Sequence, residues 1–284
     1  MHIYIPTMRR ARLQYTLQEL QHQSTYPVTL VTPYDEYDDY KDIYPDVDII
    51  SPPPEVQRIA ATRQWIMEQA SDEKVVMMDD DLTFAARLHK DPEKFGRMLA
   101  HDYKQMLDVL NFVLDKYHHG GISIREGANR NTAPIVSCQR MCRVIAYRRS
   151  TFFREGVDFR NNTVMDDFEA TLHLLTRGYP NGIVNSYVQN QKGSGTKGGA
   201  STYRDLAMHA DAASRLQARY PDFVNLVEKT TKTAWGGQTR TDVIIQWKRA
   251  LAYGQSNKSS RVLDTGEGSD SGAEGSGAEQ AMVS

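Results

Sequence analysis

Short apolar runs and helically spaced apolar stripes alternate along the first 90 residues. "HIYIP" predicts a strand over residues 3–5, and "ARLQYTLQELQ" follows with Leu13, Leu17 and Leu20 on one helical stripe. "VTLVTP" predicts a second buried strand closed by Pro33, and "DIISPPP" a third that ends in prolines. Between them "YDEYDDYKDIYPDVD" is polar and turn-rich, which predicts a surface loop. "EVQRIAATRQWIMEQA" sets Val56, Ile59, Ala60, Trp65, Ile66 and Ala70 at helical spacing, and "KVVMM" is a fourth apolar run. Strands alternating with helices imply an α/β fold with a mostly parallel sheet flanked by helices.

Beyond residue 90 the periods lengthen. Residues 91–121 predict one long helix, with Asp91 as N-cap, Pro92 in the first helical position and a Gly120–Gly121 stop. Its stripe is Phe95, Leu99, Met106, Leu110, Val113 and Tyr117, and His118 and His119 fall at its C-terminus, where the dipole favours positive charge. "APIVSCQRMCRVIAYRR" predicts one or two strands, and "DDFEATLHLLTRGYP" a helix with a Gly-Tyr-Pro stop. "QNQKGSGTKGGASTYR" predicts a mobile basic loop. "RDLAMHADAASRLQARYP" and "DFVNLVEKTTKT" predict a helical C-terminal part, closed by "DVIIQWKRALAY". The expected organisation is one domain over residues 1–254 and a disordered, Gly/Ser/Glu-rich tail over 255–284.

Composition adds bounds. No apolar run reaches 18 residues, so no transmembrane helix is expected. The N-terminus puts apolar residues before charges, the reverse of a secretory signal. Cys138 and Cys142 lie too close together to staple a fold, and they read as reduced thiols of a cytoplasmic protein. Charge is uneven: residues 1–90 carry 9 Lys/Arg against 15 Asp/Glu, and residues 121–254 carry 19 against 11. The second half is therefore the side suited to a polyanion, with a merely solvated basic surface as the other reading.

The densest chemistry is in "KVVMMDDDLTF", where a buried strand runs into Asp79, Asp80 and Asp81. Crowded carboxylates repel, so water, a basic partner or a cation must offset them. Open α/β sheets bind ligands outside the carboxyl ends of their strands. Carboxylates placed there suit Mg²⁺ or Mn²⁺ beside a substrate phosphate. A solvated acidic strand end is the plain alternative.

The chain resembles GT-A glycosyltransferases, and within them the phage and base-J type enzymes that modify hydroxymethyl-pyrimidine DNA. Four features carry the resemblance over roughly residues 1–190: D-x-D after an apolar strand, "IYIPTMRR", "AATRQW", and "RVIAYRRSTFFREGVDFRNNTVMDDFEATLHLLTRGYP". Gln64 stands where that family usually has Asn, and Asp166 where it usually has Glu. The resemblance implies a nucleotide-sugar half at 1–90 and an acceptor half at 121–204. It implies a nucleotide-sugar donor held by Pro6, Thr7, Arg9, Arg63, Asp79 and Asp80, with Lys192 and Lys197 on a lid over the diphosphate. It implies Mn²⁺ or Mg²⁺ on Asp79 and Asp81 with His209 as a further ligand. It also implies Asp167 as the base that takes the acceptor proton, with Asp166 beside it. Capping of the following helix is the structural role open to either carboxylate. For Lys192 and Lys197 a flexible linker is the other reading, and for His209 a plain core histidine.

The resemblance further implies UDP-glucose as donor and a hydroxymethylated pyrimidine in DNA as acceptor, with no membrane involved. Eight arginines between Arg125 and Arg160 are candidates for phosphate contacts, and Phe152, Phe153 and Phe159 for stacking on an extruded base. Other classes stay open: a glycosyltransferase acting on a glycan or protein, a nucleotidyltransferase with the same acidic site, and a non-catalytic nucleic-acid-binding module.

Overall fold

The computed structural model describes residues 1–192, 198–230 and 237–264. The first strand, β1 (His2–Pro6), is followed by helix α1 (Tyr15–Leu20), β2 (Val28–Val31), α2 (Tyr37–Ile43), β3 (Asp48–Ile50), α3 (Arg58–Gln69) and β4 (Lys74–Met78). These four strands are parallel, in the order β3-β2-β1-β4. The chain thus winds outward from β1 on one side and returns on the other with β4. That places a crevice between the carboxyl ends of β1 and β4. Side chains alternate across the sheet: Ile3, Ile5, Val76 and Met78 join one core, and Tyr4, Val75 and Met77 the other. Both faces are covered, which is why these strands read as unbroken apolar runs.

Next come β5 (Leu82–Arg87), β6 (Phe95–Arg97), α4 (Ala100–Lys116), β7 (His119–Ile124), the short α5 (Arg125–Ala128), β8 (Ile135–Ser137), β9 (Val144–Arg148), α6 (Arg149–Arg154), α7 (Asp166–Leu175) and β10 (Asn181–Gln191). Beyond β4 the sheet turns mixed, continuing β9-β7-β10-β5-β6, with β8 on β10. Antiparallel pairing of β5 with β10 sets Leu82 opposite Gln191, which delivers the end of β10 to the aspartates. The rest is α8 (Leu206–Arg219), the hairpin β11 (Val224–Thr230) and β12 (Thr239–Ile245), and α9 (Trp247–Asp264). A third core of Leu172, Leu175, Leu216, Phe223, Val243 and Ala250 seats this part on α7.

Several expectations are corrected. The polar stretch after Pro33 contains α2, because Tyr40 is buried at 1 % exposure and anchors that turn of helix. Residues 91–99 are not helical. Phe95 and Arg97 pair with Arg87 and Ala85 of β5, and α4 starts after Leu99, whose N–H is accepted at 2.7 Å by the carboxylate of Asp102 in the helix's first turn. His119 is not at a helix end but fully buried in β7, where its Nε2 lies 3.0 Å from the Tyr179 carbonyl. Burial pushes its pKa down to about 4 and keeps it neutral. Residues 224–230 are a strand rather than a helix, since they zip against β12 along their whole length. Phe152 and Phe159 have no exposed surface, so neither is free to stack on a base. Phe153 keeps 39 % exposure and lies under the Arg149 guanidinium. The Gly-Tyr-Pro stop of α7 is in place, with Gly178 at φ +82°. Helix α9 continues ten residues into the segment expected to be a disordered tail, propagating from a part seated on α7. The tail from 265 onward lies outside the described residues.

Gly254 fixes how α9 meets α7: a Cβ there would stand 2.3 Å from the Leu175 carbonyl and 2.4 Å from the Gly178 nitrogen. Both neighbours are backbone and cannot swing aside. Gly254→Ala is expected to cost about 1–3 kcal/mol, the usual range for overpacking. A thermal melt checks it, with Tm falling by several degrees.

Candidate active site

Three elements meet where β4 ends: the turn after β1, the three aspartates between β4 and β5, and the last residues of β10. Thr7, at the end of β1, is buried, and its hydroxyl donates to Asp80 Oδ2 at 2.6 Å. The same hydroxyl accepts from Gln14 at 2.7 Å and lies 2.9 Å from the Tyr40 hydroxyl. Pro6 is buried just before it. The backbone then takes a left-handed turn at Arg9, φ 56°. This sends Arg9 outward, its N–H bonded to Glu36 at 2.6 Å, and turns Arg10 inward. Arg10 Nη1 bonds Asp80 Oδ1 at 2.6 Å and Asp81 Oδ2 at 3.0 Å. Sequence reasoning named Arg9 and missed Arg10, because the dipeptide does not reveal which arginine follows the strained turn.

Asp81 is buried and also accepts from Gln191 Nε2 at 2.8 Å. Its other oxygen, Oδ1, is buried with no hydrogen-bond partner among the described residues. An unpartnered carboxylate oxygen inside a protein is costly unless something positive meets it. A hard cation fits that oxygen. Among the described residues no three His, Cys, Asp or Glu side chains gather closely enough to form a metal cage. Two carboxylates completed by water and substrate phosphate are the arrangement Mg²⁺ commonly takes.

Asp79 pairs with a different arginine. It keeps 30 % side-chain exposure, and its Oδ1 accepts from Arg63 Nη2 at 3.0 Å. Burial pushes its pKa up to about 6; Arg63 opposes this, and Asp81 and Asp80 add to it. Arg63, on the buried face of α3, is 8 % exposed, and its second nitrogen, Nη1, reaches Asp166 Oδ2 at 2.7 Å. One guanidinium thus joins the aspartates after β4 to the start of α7. Burial alone would lower the Arg63 pKa, but Asp166, Asp79 and Asp167 raise it, so it stays charged.

Asp166 does not cap α7; it is spent on Arg63. Burial raises its pKa, Arg63 counters, and Asp167 adds to the rise. Asp167 Oδ1 accepts the Phe168 N–H at 3.0 Å, and Oδ2 meets Arg140 Nη2 at 3.3 Å. Gln64 ties α3 to the same region, accepting the Phe159 N–H at 3.1 Å. Sequence reasoning also missed Arg140, Gln191, Gln14 and Tyr40. Only Arg140 carried a signal, as one of the eight arginines.

Lys192 continues the β5–β10 ladder, its N–H donating to the Asp81 carbonyl at 2.8 Å, with its ammonium 4.5 Å from the Tyr15 ring centre. Lys197 lies outside the described residues. His209 is not brought to the aspartates. Its Nδ1 pairs with the Thr241 carbonyl at 2.9 Å, and it lines an open pocket of about 320 Å³ with Arg140, Phe168, Lys229, Arg240, Asp242 and Trp247. Burial lowers its pKa.

Residues 1–199 match the family described as TET-Associated Glycosyltransferase. The chain belongs to that family, and the enzyme class expected from its sequence is the family's own. A beta-glucosyl-HMC-alpha-glucosyl-transferase of Enterobacteria phage T6 is 24 % identical over 198 residues, covering 64 % of this chain and 69 % of the phage protein. Among solved structures, glucosyl-3-phosphoglycerate synthase from Mycobacterium tuberculosis, in complex with Mn²⁺, UDP and phosphoglyceric acid, aligns with TM-score 0.51. It shares 11 % identity and 86 % of each chain. Staphylococcus aureus TarS 1–349, in complex with UDP-GlcNAc, aligns with TM-score 0.50, 14 % identity, 76 % of this chain and 67 % of that one. The expected GT-A-like fold is shown. Among the described residues no helix is long and apolar enough to cross a membrane.

Removing the bridge leaves the buried Asp166 and the partly exposed Asp79 without their shared cation. Arg63→Ala is expected to destabilise the chain by about 3–5 kcal/mol in urea unfolding, the cost of breaking a buried ion pair from one side. The raised Asp79 pKa also has a sign. The folded state holds this proton longer than the unfolded chain, so the group's contribution to stability is present below pH 3.8 and lost as pH rises through about 6. Asp79→Asn is expected to remove that loss from urea unfolding followed against pH.

Proposed function

We propose that this member of the TET-associated glycosyltransferase family moves glucose from UDP-glucose to the hydroxymethyl group of a modified pyrimidine in DNA. The observation that carries the reading is the Arg63 bridge, which makes the D-x-D carboxylates and the Asp166–Asp167 pair parts of one site. A donor bound after β4 and an acceptor approaching α7 then meet across a single guanidinium.

The donor diphosphate lies over the crevice between β1 and β4. Asp79 and Asp81 would hold Mn²⁺ or Mg²⁺, and the unpartnered Asp81 Oδ1 supports that choice. The bound cation supplies charge to the departing diphosphate oxygen. On the protein's side Arg10 pairs with Asp80 and Asp81 and steadies their negative charge. Pro6 and Thr7 shape the nucleotide end, and Lys192 adds charge near the diphosphate. His209 has no part in this ligand set.

Asp167 is the base. It takes the proton of the acceptor hydroxyl as that oxygen bonds to the sugar's anomeric carbon and the bond to the UDP oxygen breaks. Arg140, with Nη2 3.3 Å from Oδ2, holds the carboxylate in position. Asp166, already paired with Arg63, holds the acceptor side in place. The acceptor class is supported by the phage relative, whose name specifies glucosyl transfer involving HMC, and by the basic second half. Such a protein works in the cytoplasm of the cell that holds the DNA.

The test uses purified chain, UDP-glucose, Mn²⁺ or Mg²⁺, and DNA that is plain, hydroxymethylated or already glucosylated. Released UDP and the masses of digested nucleosides are read. The expected result is a hexose gain on modified pyrimidine only, dependent on metal, with kcat lowered at least about 100-fold by Asp167→Asn, the loss usual for a general base. UDP release with every DNA unchanged in mass would move the acceptor to a glycan or protein. Pyrophosphate in place of UDP would make the chain a nucleotidyltransferase.

A further inference from the structure

The pocket that holds His209 is built largely from chain that the family match does not reach. His209, Lys229, Arg240, Asp242 and Trp247 all follow residue 199, whereas Arg140 and Phe168 precede it. The C-terminal part therefore closes a cavity against the family's own α7. Its position is informative, because Arg140 lines this pocket and also bonds Asp167. The proposed base stands at the pocket's edge.

The walls have two kinds of chemistry. One is stacked: Arg140 lies 4.1 Å over the Phe168 ring, and Phe168 is parallel to Trp247 within 6°, centres 5.9 Å apart. Both rings are only partly buried, so each keeps open surface. The other is cationic. Asp242 Oδ2 receives Lys229 at 3.0 Å and Arg240 at 2.9 Å, one carboxylate holding two cations in place. Lys229 keeps 51 % side-chain exposure and Arg240 30 %. Arg240 Nε is buried with no partner among the described residues. Positive charge thus exceeds what Asp242 neutralises. A flat apolar ring beside fixed cations matches one repeating ligand, a polynucleotide, with its bases and its phosphates.

We infer that this pocket docks the acceptor strand, with a nucleobase against Trp247 and backbone phosphate on Lys229 and Arg240, so that the acceptor hydroxyl reaches Asp167. The inference rests on the DNA-acceptor reading above and adds where the strand lies. It also assigns His209 a place: its bond to the Thr241 carbonyl pins α8 to β12 and sets the pocket floor.

The experiment uses the full chain with hydroxymethylated DNA and UDP-glucose, and compares wild type with Trp247→Ala, Trp247→Phe and Lys229→Gln. Trp247→Ala is expected to raise KM for DNA about tenfold, the size of one lost base–aromatic stack. The KM for UDP-glucose should rise far less, and Trp247→Phe should recover most of the loss. Lys229→Gln should flatten the slope of log KM for DNA against log salt by about one. A DNA KM and salt slope unmoved by these changes, in a wild type that glucosylates DNA, overturn the pocket's role. Equal increases in both KM values overturn it too, since they report a damaged fold rather than a lost contact. A wild type that releases UDP but modifies no DNA defeats the acceptor reading itself and the docking site with it.

Discussion

The site depends on one buried arginine. Arg63 is 8 % exposed and lies between Asp79 at 3.0 Å and Asp166 at 2.7 Å. Taking Arg63 and Asp166 out of water, and Asp79 partly so, is expensive, and attraction in a low-dielectric interior repays the cost only with close, well-directed bonds. The rigid planar fork of a guanidinium aims two such bonds from separate nitrogens, whereas an ammonium offers its donors from a single rotating centre. The result is a direct tie between the end of β4 and the start of α7. Gln64, the next residue of α3 and also buried, ties that helix down through its bond to the Phe159 N–H.

The three aspartates divide their work by what surrounds each. Asp80 is occupied by Thr7 and Arg10 and serves the architecture of the β1 turn. Asp81 is half satisfied, with Oδ2 held by Arg10 and Gln191 and Oδ1 left without a partner among the described residues. Asp79 keeps contact with solvent and has its pKa pushed up to about 6. A row of like charges is tolerable because Arg10 and Arg63 enter it from opposite sides, so no carboxylate relies on water alone.

Much of this was legible in the sequence. The parallel start of the sheet, the strand that ends in the aspartates and the stop of α7 at Gly178 follow local rules of period, turn and cap, whereas Arg63 was singled out by the family resemblance. What failed was long-range. The sequence around Phe95 satisfied helix-start chemistry, yet β5 offered a pairing edge and won. Residues 224–230 read as helical because their partner, β12, lies beyond a gap in sequence that periodicity cannot see. Arg10 was hidden by the left-handed turn at Arg9, and the pocket around His209 by the distance in sequence between α7 and α9. Function lay in contacts between segments each of which looked ordinary alone.

The central claim is that the donor-facing and acceptor-facing carboxylates act as a unit through Arg63. A double-mutant cycle on kcat for sugar transfer, with Asp79→Asn, Asp166→Asn and both together, tests it most directly. Residues sharing one partner should be non-additive by about 1 kcal/mol or more, so the double variant loses little beyond the worse single one. Losses that simply multiply would mean two independent carboxylates, and the bridge would be a feature of packing rather than of the site.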